Sequence, residues 1–106
     1  MKDIMGLMKQ AQALQQKMAD AQAELETLEV EGASGGGLVS VKANAKGQVK
    51  AVRIDPSLAV PDEVEILEDL IVAGLNDARV KAERLTAERM GELTRGLPLP
   101  PGLKLF

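Results

Sequence analysis

Eight apolar or small side chains, Ile4, Leu7, Ala11, Leu14, Met18, Ala21, Leu25 and Leu28, follow one another at alternating steps of three and four residues. That spacing holds one stripe in register for more than three heptads, so the segment predicts a helix of about 25 residues packed along a single seam. Gln, Lys and Glu fill its other faces. At 1.5 Å per residue the rod is about 37 Å long, and the alanines in its seam allow a close neighbour. A chain of 106 residues holds one small domain, so a rod of that length dominates its shape.

The core must be aliphatic, because His, Cys, Trp and Tyr are absent and the single aromatic residue is Phe106. The same absences remove an imidazole base, a thiolate nucleophile, a disulfide framework and any nitrogen or sulfur metal site. Carboxylates, lysines and hydroxyls are what remain for chemistry, and no enzyme, cofactor, metal or small-molecule substrate is expected. The longest apolar run, Leu70 to Leu75, is six residues, against about 20 for a membrane helix. No membrane partner is expected. Met1 to Gln16 carries polar residues throughout and matches neither a signal nor a transit sequence, so the expected location is cytoplasmic.

Beyond the first helix the period changes. Gly32, Ser34, Gly35, Gly36 and Gly37 end the helical pattern. Leu28 to Ala33, Leu38 to Asn44 and Gln48 to Ile54 read as three strands, the last two joined by a hairpin whose turn residues are Asn44, Ala45, Lys46 and Gly47. Asp55, Pro56 and Ser57 close the sheet. Pro61 and Asp62 open a second helix reaching about Thr94, with Asp62 and Glu65 spaced as a capping box. Val64, Ile66, Leu67, Leu70, Ile71, Val72 and Leu75 make its first half broadly apolar and, by expectation, buried. Ala78, Ala82 and Leu85 leave only a thin stripe in the second. Gly96, Pro98, Pro100, Pro101 and Gly102 stop the helix, so residues 1–96 form the domain and 97–106 a proline-rich tail with apolar beads at Leu97, Leu99, Leu103, Leu105 and Phe106.

The fold class is therefore α+β, in the order helix, three-stranded antiparallel sheet, helix. Strands of about seven residues span about 23 Å and the second helix about 50 Å, so helix ends project beyond the sheet. Three strands leave unpaired edges and an apolar face wider than two helices cover, a difficulty usually met by two-fold association. A homodimer with helical arms is the expected assembly.

Charge is segregated along the chain. The net charge is −3. Lys42, Lys46, Lys50 and Arg53 occur without an acid between Leu38 and Ile54, six acids without a cation run from Asp62 to Ala78, and five cations against three acids follow from Arg79 to Arg95. At about 100° per residue Lys81, Arg84 and Arg95 make a ridge beside the apolar stripe, while Arg89 points along it, as if the stripe were uncovered there. Lys9 lies opposite the heptad seam. Cations near a helix C-terminus also suit its dipole, and Arg79 with Glu83 and Arg84 with Glu88 have ordinary four-residue spacing. The strand cations also fit the role of discouraging edge pairing. The glycines at 32, 35, 36 and 37 match no phosphate-binding spacing and lead into a strand, so they read as a turn. Acids Asp62 to Asp69 at a helix start complement its dipole.

The stretches Leu7-Met8-Lys9-Gln10-Ala11-Gln12, Leu28-Glu29-Val30-Glu31-Gly32, Ser34-Gly35-Gly36-Gly37-Leu38-Val39, Ile54-Asp55-Pro56-Ser57-Leu58, Leu67-Glu68-Asp69-Leu70, Asn76-Asp77-Ala78 and Leu99-Pro100-Pro101-Gly102-Leu103-Lys104 together resemble the YbaB/EbfC family of bacterial nucleoid-associated proteins. The resemblance spans nearly the whole chain in family order, with Gly74 departing from the usual Ala. It implies a tweezer-like homodimer with protruding helices that binds double-stranded DNA in the nucleoid, without enzymatic activity. The family's DNA contacts are attributed to those protrusions, which places the candidate DNA-binding residues here at Lys9, Arg79, Lys81, Arg84 and Arg89. The competing reading is a protein-interaction adaptor or chaperone-like dimer that uses its heptad helices and apolar tail to hold client segments.

Overall fold

Gly32 has the least room for a side chain among the described glycines. A computed structural model describes residues 2–94, and in it Gly32 lies mid-strand, where an added Cβ would collide with the backbone of Ala78 and Gly74 on the second long helix. The elements run α1 (Lys2–Thr27), β1 (Glu29–Ser34), β2 (Val39–Asn44), β3 (Val49–Ile54) and α2 (Val64–Thr94), with short 3-10 turns at Gly35–Gly37, Pro56–Leu58 and Pro61–Glu63. Each strand is six residues and each begins one residue later than its sequence pattern places it. The glycine run is a turn as expected, with φ of 60°, 68° and 97° at Gly35, Gly36 and Gly37, a region that costs L side chains about 1–2 kcal/mol.

The sheet is antiparallel in the order β1-β2-β3, with Gly32 opposite Val41 and Val41 opposite Val52. A register shift between Lys42 and Ala43 makes Lys50 an extra residue in β3. Val39, Val41, Ala43, Leu58 and Ala78 form the buried core, with Leu67, Leu70, Ile71 and Leu75 of α2 packed against it. Aliphatic and alanine side chains suffice because α2 approaches so closely.

α2 covers β1 and β2 and hardly touches β3. This overturns the expectation that the first half of α2 is the buried half. Val64, Ile66 and Val72 are exposed, whereas Ala78, Ala82 and Met90 further along are buried. A single helix sees the sheet along one stripe, so the remaining apolar positions of an all-round apolar segment are left outside. The expected capping box does not form either: Val60 is the cap position of the Pro61–Glu63 turn that leads into α2, and it offers no side-chain hydrogen bond. Lys42 lies on the central strand, so only Lys50 and Arg53 of the strand cations stand on an edge strand. The tail at 97–106 lies outside the described residues.

Two glycine substitutions test this packing with opposite outcomes. Gly32→Ala is expected to lower stability by about 2 kcal/mol or more in urea unfolding, since backbone must move to admit the methyl. Gly6→Ala, in α1 with nothing within 4 Å of the new Cβ, should not lower it, because Ala is the better helix former by about 1 kcal/mol.

Candidate nucleic-acid interface

The arm is fixed at the β2–β3 turn. Asn44 is fully buried, and its Oδ1 accepts from the backbone N–H groups of Lys46 and Gln48 at 3.0 Å while its Nδ2 donates to Gln48 Oε1 at 2.7 Å. This shapes the turn so that Ala45 N–H donates to the carbonyls of Leu25 and Leu28 at the end of α1. From the other side the Thr86 hydroxyl of α2 donates to the Ala45 carbonyl at 2.7 Å. Lys46 adds an ion pair to Glu26 at 3.0 Å. One turn thus ties both helices at the same level. From there they run side by side in opposite directions, until Glu92 and Leu93 of α2 stand beside Lys17, Asp20 and Ala21 of α1.

The heptad seam of α1 is covered only at this root. Leu25 is 2% exposed, Ala21, Met18 and Leu14 are partly covered, and Leu7 and Ile4 are 63% and 59% exposed. The sequence marks the seam but not how much of it finds a neighbour.

The five candidate cations do not converge on one face within a single chain. Lys9 is exposed on the outer part of α1, on the side away from the seam. Arg79 is exposed at the mouth of a cleft of about 910 Å³ bounded by α1, the β2–β3 turn and α2, with Lys46 beside it and Leu25, Ala82 and Met90 among its walls. Lys81 lies over β1, where its Nζ donates to the Glu31 carbonyl at 2.9 Å and pairs with Asp77 at 3.1 Å. Arg84, one turn further, is exposed on the same flank and contributes to the field at Asp77.

Arg89 corrects an expectation. The stripe beneath it is not open, because the root of α1 packs there, and Arg89 is only partly exposed, pairing with Glu24 of α1 at 3.2 Å and Glu92 at 3.8 Å. The four-residue pairs read for Arg79 with Glu83 and Arg84 with Glu88 are not among the ion pairs of the described residues. Lys9, Arg79 and Arg84 therefore keep no carboxylate partner within 4 Å there, while Lys81 and Arg89 are engaged.

Asp77 stands in the sequence as the last acid of the run from Asp62 and as part of the Asn76-Asp77-Ala78 stretch, and its four-residue spacing to Lys81 is the one local sign of its role. Its carboxylate accepts the backbone N–H of Ala33 at 2.9 Å, closing an open hydrogen-bond position on edge strand β1. That N–H, then the Lys81 ammonium and, more weakly, the Arg84 charge hold its pKa below the usual carboxylate value. Asp55 is also held low, by the N–H of Ser57, and serves the turn after β3. Among the described residues no three acids come together as a metal site, and no helix is long and apolar enough to cross a membrane.

A carboxylate with a depressed folded pKa stabilises the fold fully above its unfolded value of about 4 and loses that contribution as pH falls through the folded value. Asp77→Asn should therefore have a lower urea midpoint than the parent at pH 7, and the gap should narrow below about pH 4. An equal gap at pH 7 and pH 3 would contradict this role.

Comparison with known proteins agrees with the architecture. A nucleoid-associated protein of Nitrobacter hamburgensis is 63% identical over 105 residues, covering 99% of both chains. One of Methylocella silvestris is 58% identical over 105 residues, covering 99% of this chain and 98% of the relative. The crystal structure of an uncharacterized protein from Helicobacter pylori superposes with a TM-score of 0.73 at 22% identity, covering 82% of this chain and 91% of that one, which speaks for the fold. The profile of the YbaB/EbfC DNA-binding family matches residues 1–97. The chain belongs to the YbaB/EbfC DNA-binding family.

Proposed function

We propose that this protein is a nucleoid-associated protein without enzymatic activity, and that it binds double-stranded DNA as a homodimer, through phosphate contacts made by its paired helices. The observation that carries the reading is that three of the five candidate cations on those helices are uncommitted. Lys9 on α1 and Arg79 and Arg84 on α2 are exposed without a carboxylate within 4 Å among the described residues, in a chain that belongs to a DNA-binding family. Lys81 and Arg89 stand in exposed or half-exposed ion pairs of a kind worth about 0–1 kcal/mol, so a phosphate can compete for them. A net charge of −3 per chain opposes long-range attraction to DNA, which confines binding to the arms and makes it sensitive to salt. No paired base-reading side chains are assigned, and contact with the backbone positions a protein without specifying sequence.

The dimer surface of this proposal is the strip of the core that α2 leaves open. Residues directly opposite in a sheet share a face. Val52 and Val49 thus lie on the same face as buried Val41 and Ala43, yet they are 42% and 50% exposed. A second copy seated here buries these side chains and brings a second arm.

Three contacts per chain make six in the dimer, for which log affinity should fall against log salt with a slope of about −5. Replacing Arg79 and Arg84 by Glu should flatten it to about −2 with the dimer mass unchanged. Unaltered affinity and slope in that variant would contradict the arm site. Val49→Asp with Val52→Asp should shift the solution mass in light scattering from twice 11.3 kDa to 11.3 kDa. A dimer that survives both changes would place the interface elsewhere.

A further inference from the structure

Arg89 is where charge joins the two helices of the arm. Its Nη1 lies 3.2 Å from Glu24 Oε1 of α1 and 3.8 Å from Glu92 Oε2 of α2, so carboxylates from two helices share one guanidinium nitrogen. The three side chains line a hollow of about 310 Å³ between the helices, together with Lys17 and Asp20. Lys17 has no carboxylate within 4 Å among the described residues, and Asp20 accepts from Gln16 Nε2 at 2.9 Å. Against two cations the hollow therefore holds three acids, a local surplus of negative charge on a pair of helices that otherwise exposes free arginines.

Lys81, the other engaged cation, is held differently. Its partner Asp77 also accepts the N–H of Ala33, and its own ammonium donates to the Glu31 carbonyl, so removing it uncaps β1. Nothing comparable fastens the clasp at Arg89. The side chains of Glu24 and Glu92 are 49% and 58% exposed and make no other ion pair among the described residues. Exposed pairs of this kind are weak and screened by salt.

We propose, on the reading of the paired helices as DNA-binding arms, that Glu24 with the help of Glu92 is an autoinhibitory contact. It occupies Arg89 in place of a DNA phosphate and keeps this cation out of the binding set until a phosphate displaces it. Carboxylate and phosphate offer a guanidinium the same charged oxygen acceptors, so the two compete for one group. A phosphate approaching Arg89 also meets the surplus of acid around it. Glu24 thereby holds affinity below what the cations of the arm could give, and sets it from within the chain.

Glu24→Gln keeps the size of the side chain and removes its charge. With the full-length protein and a short duplex, affinity should rise about fivefold to tenfold at low salt, and the slope against log salt should steepen from about −5 to about −7 as each chain gains one phosphate contact. Glu92→Gln should act in the same direction and more weakly, because its oxygen is the more distant. The gain must run through Arg89. In an Arg89→Gln background, Glu24→Gln should gain no more than Glu88→Gln does in the parent, where an acid that holds no ion pair among the described residues is neutralised. A gain that persists without Arg89, or that Glu88→Gln equals, would overturn the proposal in favour of net charge alone. Binding left unchanged or weakened by both Glu24→Gln and Glu92→Gln would overturn it as well. If Arg79→Glu with Arg84→Glu still flattens the salt dependence, either failure leaves the arm site standing; if it does not, the arm site itself is refuted and this contact with it.

Discussion

Everything in the body of this protein follows from how closely α2 lies on β1. Gly32 lacks the side chain that would keep the two backbones apart, and a Cβ on Gly74 would stand 3.2 Å from the side chain of Val41. Asp77 and Lys81 then reach from α2 to the N–H of Ala33 and the carbonyl of Glu31, so β1, an edge strand, has hydrogen-bonding partners on its outer side. A helix held this tightly over β1 and β2 cannot also cover β3. The open apolar strip at Val49 and Val52 is thus a geometric consequence of the same contact that builds the core.

The second consequence concerns the arm. With α2 fixed over the sheet, its C-terminal half overshoots, and the β2–β3 turn catches it at Thr86 while holding the end of α1 through Ala45. Charge is divided accordingly. The acids from Asp62 to Asp69 stay near the start of α2, over the sheet, and Arg79, Lys81, Arg84 and Arg89 lie further along it. An acidic protein can thus present positive side chains to a polyanion, provided that copies pair and their arms act together.

Much of this was legible in the sequence. The seam of α1, the glycine turn, the hairpin at Asn44 to Gly47 and the long α2 all carry periodicities or turn residues whose physics is local. What local pattern could not supply was which faces meet. Gly32 read as a helix breaker, but its role is the backbone contact with Ala78, which depends on a residue 46 positions away. Arg89 read as solvent-facing because the apolar stripe thins there, but α1 returns to cover it and Glu24 to neutralise it. The exposed side chains of Ile66 and Val72 have the same origin: apolarity on all sides of a segment says that partners exist and not which of them belong to the same chain. For the candidate site, the residue types and the elements bearing them were readable, and the division into engaged Lys81 and Arg89 and uncommitted Lys9, Arg79 and Arg84 was not.

The central claim is that duplex DNA is held by the paired helices and not by the sheet. Backbone amide spectra of the isotope-labelled protein, recorded with and without a short duplex at low salt, test it most directly. The account predicts shifts gathered around Lys9 and from Arg79 to Arg89, with the outer sheet face at Lys42, Lys50 and Arg53 unmoved. Shifts centred on those strand residues, with the helices silent, would contradict it.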